Sequence, residues 1–288
     1  MKDKTISVLA NAKLNLNLEV LDRREDGYHN LSSIFQSVTL SDSVSVTTVK
    51  GEGVSVVIRN ADISGENLAK TAAELFLKTT NKTAKVNIVI DKRIPLSAGL
   101  GGGSADAAAV LVCLNRIFDE PLSITELEKL GLKLGADVPF CISGGTKLVA
   151  GVGEEFHPCP KAPNLLVVLI KHHNKSSTKS MYDLLDSRKS TPTPNTDAII
   201  KHMQNDEFEK AAKLFKNSFL EVSNDAQEQK EIIQYLLDKG ALAAGLSGSG
   251  PTVYGLFDFY DGDLLNVLKN RYKEVYLCET AETSIETE

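Results

Sequence analysis

Cysteine is scarce in this 288-residue chain: there are four, at positions 113, 141, 159 and 278, and no Cys-x-x-Cys pair among them. Four scattered thiols cannot frame a protein of this size with disulfides, and with few histidines nearby they do not have the spacing of a zinc site. They are expected to be reduced and structural. Long apolar runs are missing too. None approaches the ~18 residues of a membrane span, and the opening MKDKTISVLANAKLNLNLEV holds no continuous hydrophobic signal region. No membrane partner and a cytoplasmic location are therefore expected. Positive charge is in deficit, with 32 Lys+Arg against 38 Asp+Glu and a net charge of −6. That balance argues against binding a nucleic-acid polymer or an anionic membrane, both of which need a basic surface. What remains is ordinary globular composition, 42% hydrophobic and 24% charged, which excludes a mostly disordered chain. At roughly 100–200 residues per domain, the length fits one large domain or two modest ones.

The order of patterns points to an α+β fold. Leu14 to Val20 alternates apolar and polar residues, the period of a half-buried strand. The β-branched stretches SIFQSVTL, SVSVTTV and GVSVVI read as further strands. NLAKTAAELFLKTT has a helical period, and VNIVID returns to strand before Pro95. SADAAAVLVCLNRIF is strongly helical, and SITELEKLGLKLG opens with a capping box, Ser123 and Glu126. Beyond residue 155 the composition shifts, so a boundary between residues 1–155 and 156–288 is expected near there. The second part holds a buried strand (PNLLVVLIK), a polar connection around a short helix, and two amphipathic helices. It continues with a strand–glycine turn–strand unit, a last helix and strand, and an acidic tail, AETSIETE, expected to fray.

Residues 95–105 read Pro95, Leu96, Ser97, Ala98, Gly99, Leu100, Gly101, Gly102, Gly103, Ser104, Ala105 and run into the alanine-rich helix. Glycines let consecutive amides converge on an anion, and a helix start adds free amides and the positive end of its dipole. A nucleotide phosphate is the natural guest; a flexible strand–helix connection is the plainer alternative. The loop is not a Walker A, because no lysine follows Gly103, and it lacks the downstream acid of a dinucleotide fingerprint.

This loop resembles the phosphate loop of the GHMP kinases, the family of galactokinase, homoserine kinase, mevalonate kinase and phosphomevalonate kinase. Two further segments resemble that family's motifs in the expected order: Ala12-Lys13-Leu14-Asn15-Leu16 and Leu246-Ser247-Gly248-Ser249-Gly250-Pro251-Thr252. The resemblance implies a GHMP-kinase fold with two lobes, the first like domain 2 of ribosomal protein S5 and the second ferredoxin-like. It also implies ATP as co-substrate, with Mg²⁺ expected alongside it. Relatives often carry Ser-Ser after the glycines, whereas here Ser104 is followed by Ala105, and Ser104, Asp106 or water would have to replace the second hydroxyl.

Arg24-Glu25-Asp26-Gly27-Tyr28-His29 and Leu134-Gly135-Ala136-Asp137-Val138-Pro139-Phe140 narrow the likeness. They resemble the branch that phosphorylates the 2-hydroxyl of a cytidine diphosphate-linked methylerythritol in the non-mevalonate route to isoprenoid precursors. Shorter matches at Gly65-Glu66-Asn67-Leu68 and Ser177-Thr178 agree. The resemblance makes Asp137 the hydroxyl-orienting base and Lys13 its partner. From the residues alone, Asp137 could equally cap a helix or turn, and Lys13 could be a solvated strand lysine. Tyr28 and His29 supply rings suited to a pyrimidine, and the resemblance adds Asn15, Thr178 and Tyr182 to the substrate pocket. It also puts Asn67 and Lys92 on the adenine side, although from the residues alone Asn67 reads first as a helix cap. The rivals are a mevalonate- or homoserine-type kinase, whose small acceptors offer no base to stack, and a nucleotide-binding module without catalysis.

Overall fold

The computed structural model describes residues 3–62, 65, 67–172, 178–187, 195–260 and 262–288. Glu66 and Ser177 of the short motif matches lie outside these residues. Two long strands organise the fold. β1 (Lys4–Arg23) and β2 (His29–Val49) pair antiparallel around the turn at Gly27, whose φ of +86° suits glycine. Register shifts break the pair, one of them between Asn11 and Ala12. β2 thereby meets different partners along its length: residues 33–36 pair with β5 (Thr146–Ala150), 37–38 with β10 (Glu274–Ala281), and 43–49 with β4 (Lys85–Asp91).

The remaining strands extend both sides of this trunk. β3 (Gly53–Arg59) lies parallel to β4, and β6 (Glu155–Pro158) pairs with β5. On the far side β10 leads to β7 (Leu166–Lys171), β9 (Thr252–Phe257) and β8 (Ala243–Leu246), all antiparallel. Helices cover the sheet. α1 (Leu68–Thr80) packs on α2 (Gly102–Ile117), and α2 on β1 and β2. α3 (Ile124–Leu132) keeps the capping box expected at Ser123 and Glu126, and packs on α4 (Val138–Ser143). Then come α5 (Thr178–Asp186), α6 (Thr196–Gln204), α7 (Phe208–Ala212), a 3₁₀ turn at Ser218–Glu221, α8 (Ala226–Asp238) and α9 (Asp263–Arg271).

Two expectations are corrected. Leu14–Val20 is not half-exposed: Lys13, Asn15, Asn17 and Glu19 are all buried, like the apolar residues between them. The alternation separates two covered faces. Leu14 and Leu16 enter the large core, while the odd-numbered polar residues face another polar layer. The acidic tail does not fray either. Residues Ile285–Thr287 form β11 against Val8–Ala10 of β1, and Ser284 is buried with its hydroxyl 2.7 Å from that of Ser37. The tail's charges misled because Ser284 is buried and Ile285 packs against the core. No helix among the described residues is long and apolar enough to cross a membrane. Cys113, Cys141 and Cys278 are buried and Cys159 is half-buried, all four unpaired. Burial pushes the Cys113 thiol up to about 12.

Candidate active site

A cavity of about 430 Å³ opens where the glycine loop, β1, α4, α5 and the turn between β8 and β9 converge. Residues 95–104 form one wall, and Lys13, Asn15, Ala136, Asp137, Thr178, Tyr182, Gly248 and Ser249 complete much of the rest. The three motifs recognised in sequence thus meet in space.

The loop is held from both neighbours. The Lys13 amide donates to Leu100 O at 3.0 Å, and the Ser247 hydroxyl donates to Gly99 O at 3.0 Å. Gly99 has φ +76°, and a Cβ there would stand 2.4 Å from Ser247 O, so the close approach of the two turns requires glycine. A Cβ on Gly101, φ +71°, would meet Lys13 Cγ at 2.9 Å. Gly102 and Gly103 begin α2, leaving free amides at a helix start beside the cavity. Ala105 does not join them: it is fully buried, and its amide donates to Gly101 O at 2.9 Å. Its place in the first α-helical hydrogen bonds takes it out of a phosphate cradle.

Lys13 reaches across from β1. Its ammonium lies 2.8 Å from Asn15 Oδ1, 3.5 Å from Asp137 Oδ2 and 4.4 Å from the centroid of the Phe35 ring. Asn15 is fixed in turn, its amide nitrogen donating to Ser33 Oγ at 3.1 Å. Asp137 precedes α4 but its carboxylate makes no capping bond, so the cap alternative falls away and the side chain remains available, about one-third exposed, at the cavity. A buried cation facing a partly open carboxylate beside free helix amides can hold an anionic group and orient a hydroxyl.

The aromatic residues divide. Tyr182 lines the cavity, stacks on His29 with centroids 5.1 Å apart at 15°, and meets Phe219 edge-on at 5.0 Å. Burial raises the Tyr182 hydroxyl's pKa, and the nearby Asp137 charge adds to it. His29 and Tyr28 lie outside the lining; Tyr28 is 65% exposed at the turn after β1. Asp186 of α5 accepts from, or pairs with, His29 Nε2 at 2.6 Å and also meets Arg23 at 3.3 Å. Thr178 and Ser249 join hydroxyls at 2.9 Å, bridging α5 to the third motif.

The two residues expected on the adenine side are otherwise engaged. Asn67 is the N-cap of α1, its Oδ1 accepting from the amides of Ala69 and Lys70, although the adjacent Leu68 does reach the cavity. Lys92 touches the lining, but its ammonium is buried between Asp42 and Asp106. Sequence reasoning missed Ser33, Phe35, Asp186 and Phe219. Ser249 stood inside a quoted motif and could have been found there; the others lie in strands and helices with no local signature.

Comparison with known proteins agrees with this geometry. The family model for the GHMP kinases N-terminal domain matches residues 67–145, and that for the GHMP kinases C-terminal domain matches 197–274. The chain belongs to the GHMP kinases, an α+β family. A 4-diphosphocytidyl-2-C-methyl-D-erythritol kinase of Clostridium botulinum (strain Loch Maree / Type A3) is 39% identical over 280 residues, covering 94% of this chain and 98% of that protein. One of the same name from Clostridium tetani (strain Massachusetts / E88) is 37% identical, covering 96% of this chain and all of the other. A crystal structure of 4-(cytidine 5'-diphospho)-2C-methyl-D-erythritol kinase superposes with TM-score 0.81 at 31% identity, covering 96% of this chain and 99% of that one. A homoserine kinase from Cytophaga hutchinsonii shares the fold, with TM-score 0.75 at 18% identity over the whole of this chain and 98% of its own.

Proposed function

We propose that this chain transfers the γ-phosphoryl group of ATP to the 2-hydroxyl of 4-diphosphocytidyl-2-C-methyl-D-erythritol, a step of non-mevalonate isoprenoid precursor synthesis in the cytoplasm. The observation that carries the reading is the Lys13–Asp137 pair, 3.5 Å apart, at a cavity walled by the glycine loop. The ATP phosphates sit on the loop's amides and the start of α2. Asp137 orients the acceptor hydroxyl and takes its proton as the new O–P bond forms and the β,γ-bridging bond breaks, releasing ADP. Lys13 holds Asp137 in place from 3.5 Å and faces the negative oxygens of the transferring group. Asn15 fixes Lys13, and Thr178 and Tyr182 hold the acceptor's far side. The cytosine stacks among Tyr28, His29 and Tyr182. The division near residue 155 puts the glycine loop and Asp137 in one lobe and the third motif in the other; the family models fall on either side of it.

Among the described residues, no group of three or more His, Cys, Asp or Glu is gathered to cage a metal. The donors present therefore fit a Mg²⁺ carried by the nucleotide phosphates and water, with Ser104 and Asp137 as the protein oxygens open to it. Bound there, it would neutralise phosphate charge.

The test is ADP release by the purified protein with the cytidylylated acceptor, with mevalonate, with homoserine and with no acceptor. Release only with the first is expected. Release with mevalonate alone overturns the substrate, and no release with any acceptor favours a binding module. Asp137→Asn is expected to lower kcat by roughly 10²–10⁴ while ATP still binds; a near-normal kcat removes Asp137 from the proton transfer.

A further inference from the structure

Beneath the glycine loop lies a buried cluster of charge, of which Lys92 reaches the cavity lining while its two acids do not. Its members come from three elements: Asp42 from β2, Lys92 from the residue after β4, and Asp106 from the second turn of α2. The Lys92 ammonium contacts Asp42 Oδ2 at 2.5 Å and Asp106 Oδ2 at 2.8 Å. The other Asp42 oxygen accepts from the amides of Arg93 at 2.6 Å and Ile94 at 2.9 Å. Asp42 is completely covered and Asp106 nearly so.

The placement of these bonds along the chain is the point. Arg93 and Ile94 are the residues by which the chain enters the loop, and Asp106 is two residues beyond Ser104, where it leaves. One ammonium therefore ties entry and exit together, and Asp42 anchors both to the sheet. The same ammonium lies 3.4 Å from where a Cβ on Gly102 would stand, directly against the start of α2.

As a device for stability alone the cluster is poor. Two carboxyl groups share one ammonium in a dry interior, so ionising both leaves an excess negative charge, and Asp106 Oδ1 is buried with no hydrogen-bond partner. Replacing buried ionic groups by apolar ones is often neutral or stabilising. What the cluster does supply is a fixed distance between the loop's ends.

We propose that Asp42, Lys92 and Asp106 form a clasp that sets the span of the glycine loop for the nucleotide phosphates, making Asp106 a positioning residue for ATP although it does not touch it. The inference rests on the reading of the loop as the ATP site. With Asp106 gone, Lys92 keeps Asp42 as a neutral pair, α2 loses its tie to the loop entry, and the amides at Gly102 and Gly103 lose their fixed spacing to the loop.

The experiment measures ATP dissociation constants, KM for each substrate, kcat and Tm for the wild type, Asp106→Ala and Asp106→Asn. Asp106→Ala is expected to weaken ATP about tenfold or more, to leave the acceptor KM within twofold, and to keep Tm equal or higher. Asp106→Asn retains an oxygen for Lys92 and is expected to recover most of the ATP affinity. Unchanged ATP affinity in Asp106→Ala overturns the clasp, as does an equal loss for both substrates or a loss that only follows a fall in Tm. Should Asp106→Ala not fold, Asp106→Asn set against Asp106→Leu decides: weaker ATP binding in Asp106→Leu alone supports the clasp, and equal behaviour of the two overturns it. A wild type that binds no ATP is a different failure, that of the ATP reading itself.

Discussion

The Lys13 ammonium is closer to the neutral Asn15 amide than to the Asp137 carboxylate, 2.8 Å against 3.5 Å. Asn15 is held by Ser33, which is itself bonded to the backbone of Asn17, so the lysine is tethered by a neutral partner as well as by the carboxylate. A lysine pulled fully onto Asp137 would occupy the oxygen that an acceptor hydroxyl needs. Replacing Asn15 with leucine removes that tether. It is expected to lower kcat roughly tenfold, about 1.4 kcal/mol of barrier, with little change in ATP affinity. Steady-state kinetics set beside ATP titration check this, and an unchanged kcat would show that Asn15 does not govern the pair.

The glycines of the loop differ in what they demand. Alanine at Gly99 meets Ser247 O at 2.4 Å in a left-handed backbone, whereas alanine at Gly103 meets nothing nearer than Leu68 Cδ1 at 3.9 Å. Gly99→Ala is expected to cost about 1–3 kcal/mol and to separate the loop from the third motif. Gly103→Ala, inside α2, is expected to be neutral or to gain about 0.5–1 kcal/mol. Chemical denaturation of both variants tests the contrast; equal destabilisation would refute it.

Tyr28 is exposed and outside the lining of the cavity beside the glycine loop, while Tyr182 is already stacked on His29. If the cytosine adds its face to this group, Tyr28→Ala loses about 1–3 kcal/mol of stacking, so KM for the cytidylylated acceptor rises from several-fold to about a hundredfold. KM for ATP should not move. Parallel rises in both constants would take Tyr28 out of the base site.

Burial pushes the Asp106 carboxyl up to about 7, the pull of Lys92 only partly offsetting it. In the unfolded chain the group returns to its ordinary value of 3.8. Between those two values the folded protein binds the extra proton, so this group's contribution to stability falls as pH rises and levels off above the higher one. Asp106→Asn does not titrate. Its stability relative to wild type is expected to climb from about pH 4 to about pH 7 and then plateau, read by urea unfolding at successive pH values. A flat difference would mean that Asp106 ionises normally.

The sequence made the α+β class and the loop, the β1 motif and the third motif legible because each is local: alternation, glycine runs and a capping box are written in consecutive residues. Lys13 and Asp137 are singled out by likeness, and the fold brings the two side chains together by placing a buried strand opposite the start of α4. The clasp could not be read, because residues 42, 92 and 106 share no local pattern and become neighbours only when β2, β4 and α2 pack. Asp186 was hidden for the same reason. Resemblance puts Lys92 near the adenine side, and nothing in DKRIP reveals the two buried acids, Asp42 and Asp106, that hold its ammonium. The tail was misjudged because composition favours fraying, while pairing with β1 decides otherwise.

That pairing has a consequence for the order in which the molecule is assembled. Asn11 on β1 donates to the carbonyl of Thr283, 272 residues away, and β11 completes the edge of the strand that carries Lys13. Contacts so distant along the chain close late and slowly. During synthesis, the Val8–Ala10 stretch of the strand bearing Lys13 therefore stays unpaired along one edge until nearly all of this sequence has emerged. The nascent first lobe, however well its helices have formed, waits for residues from the second before its sheet is finished.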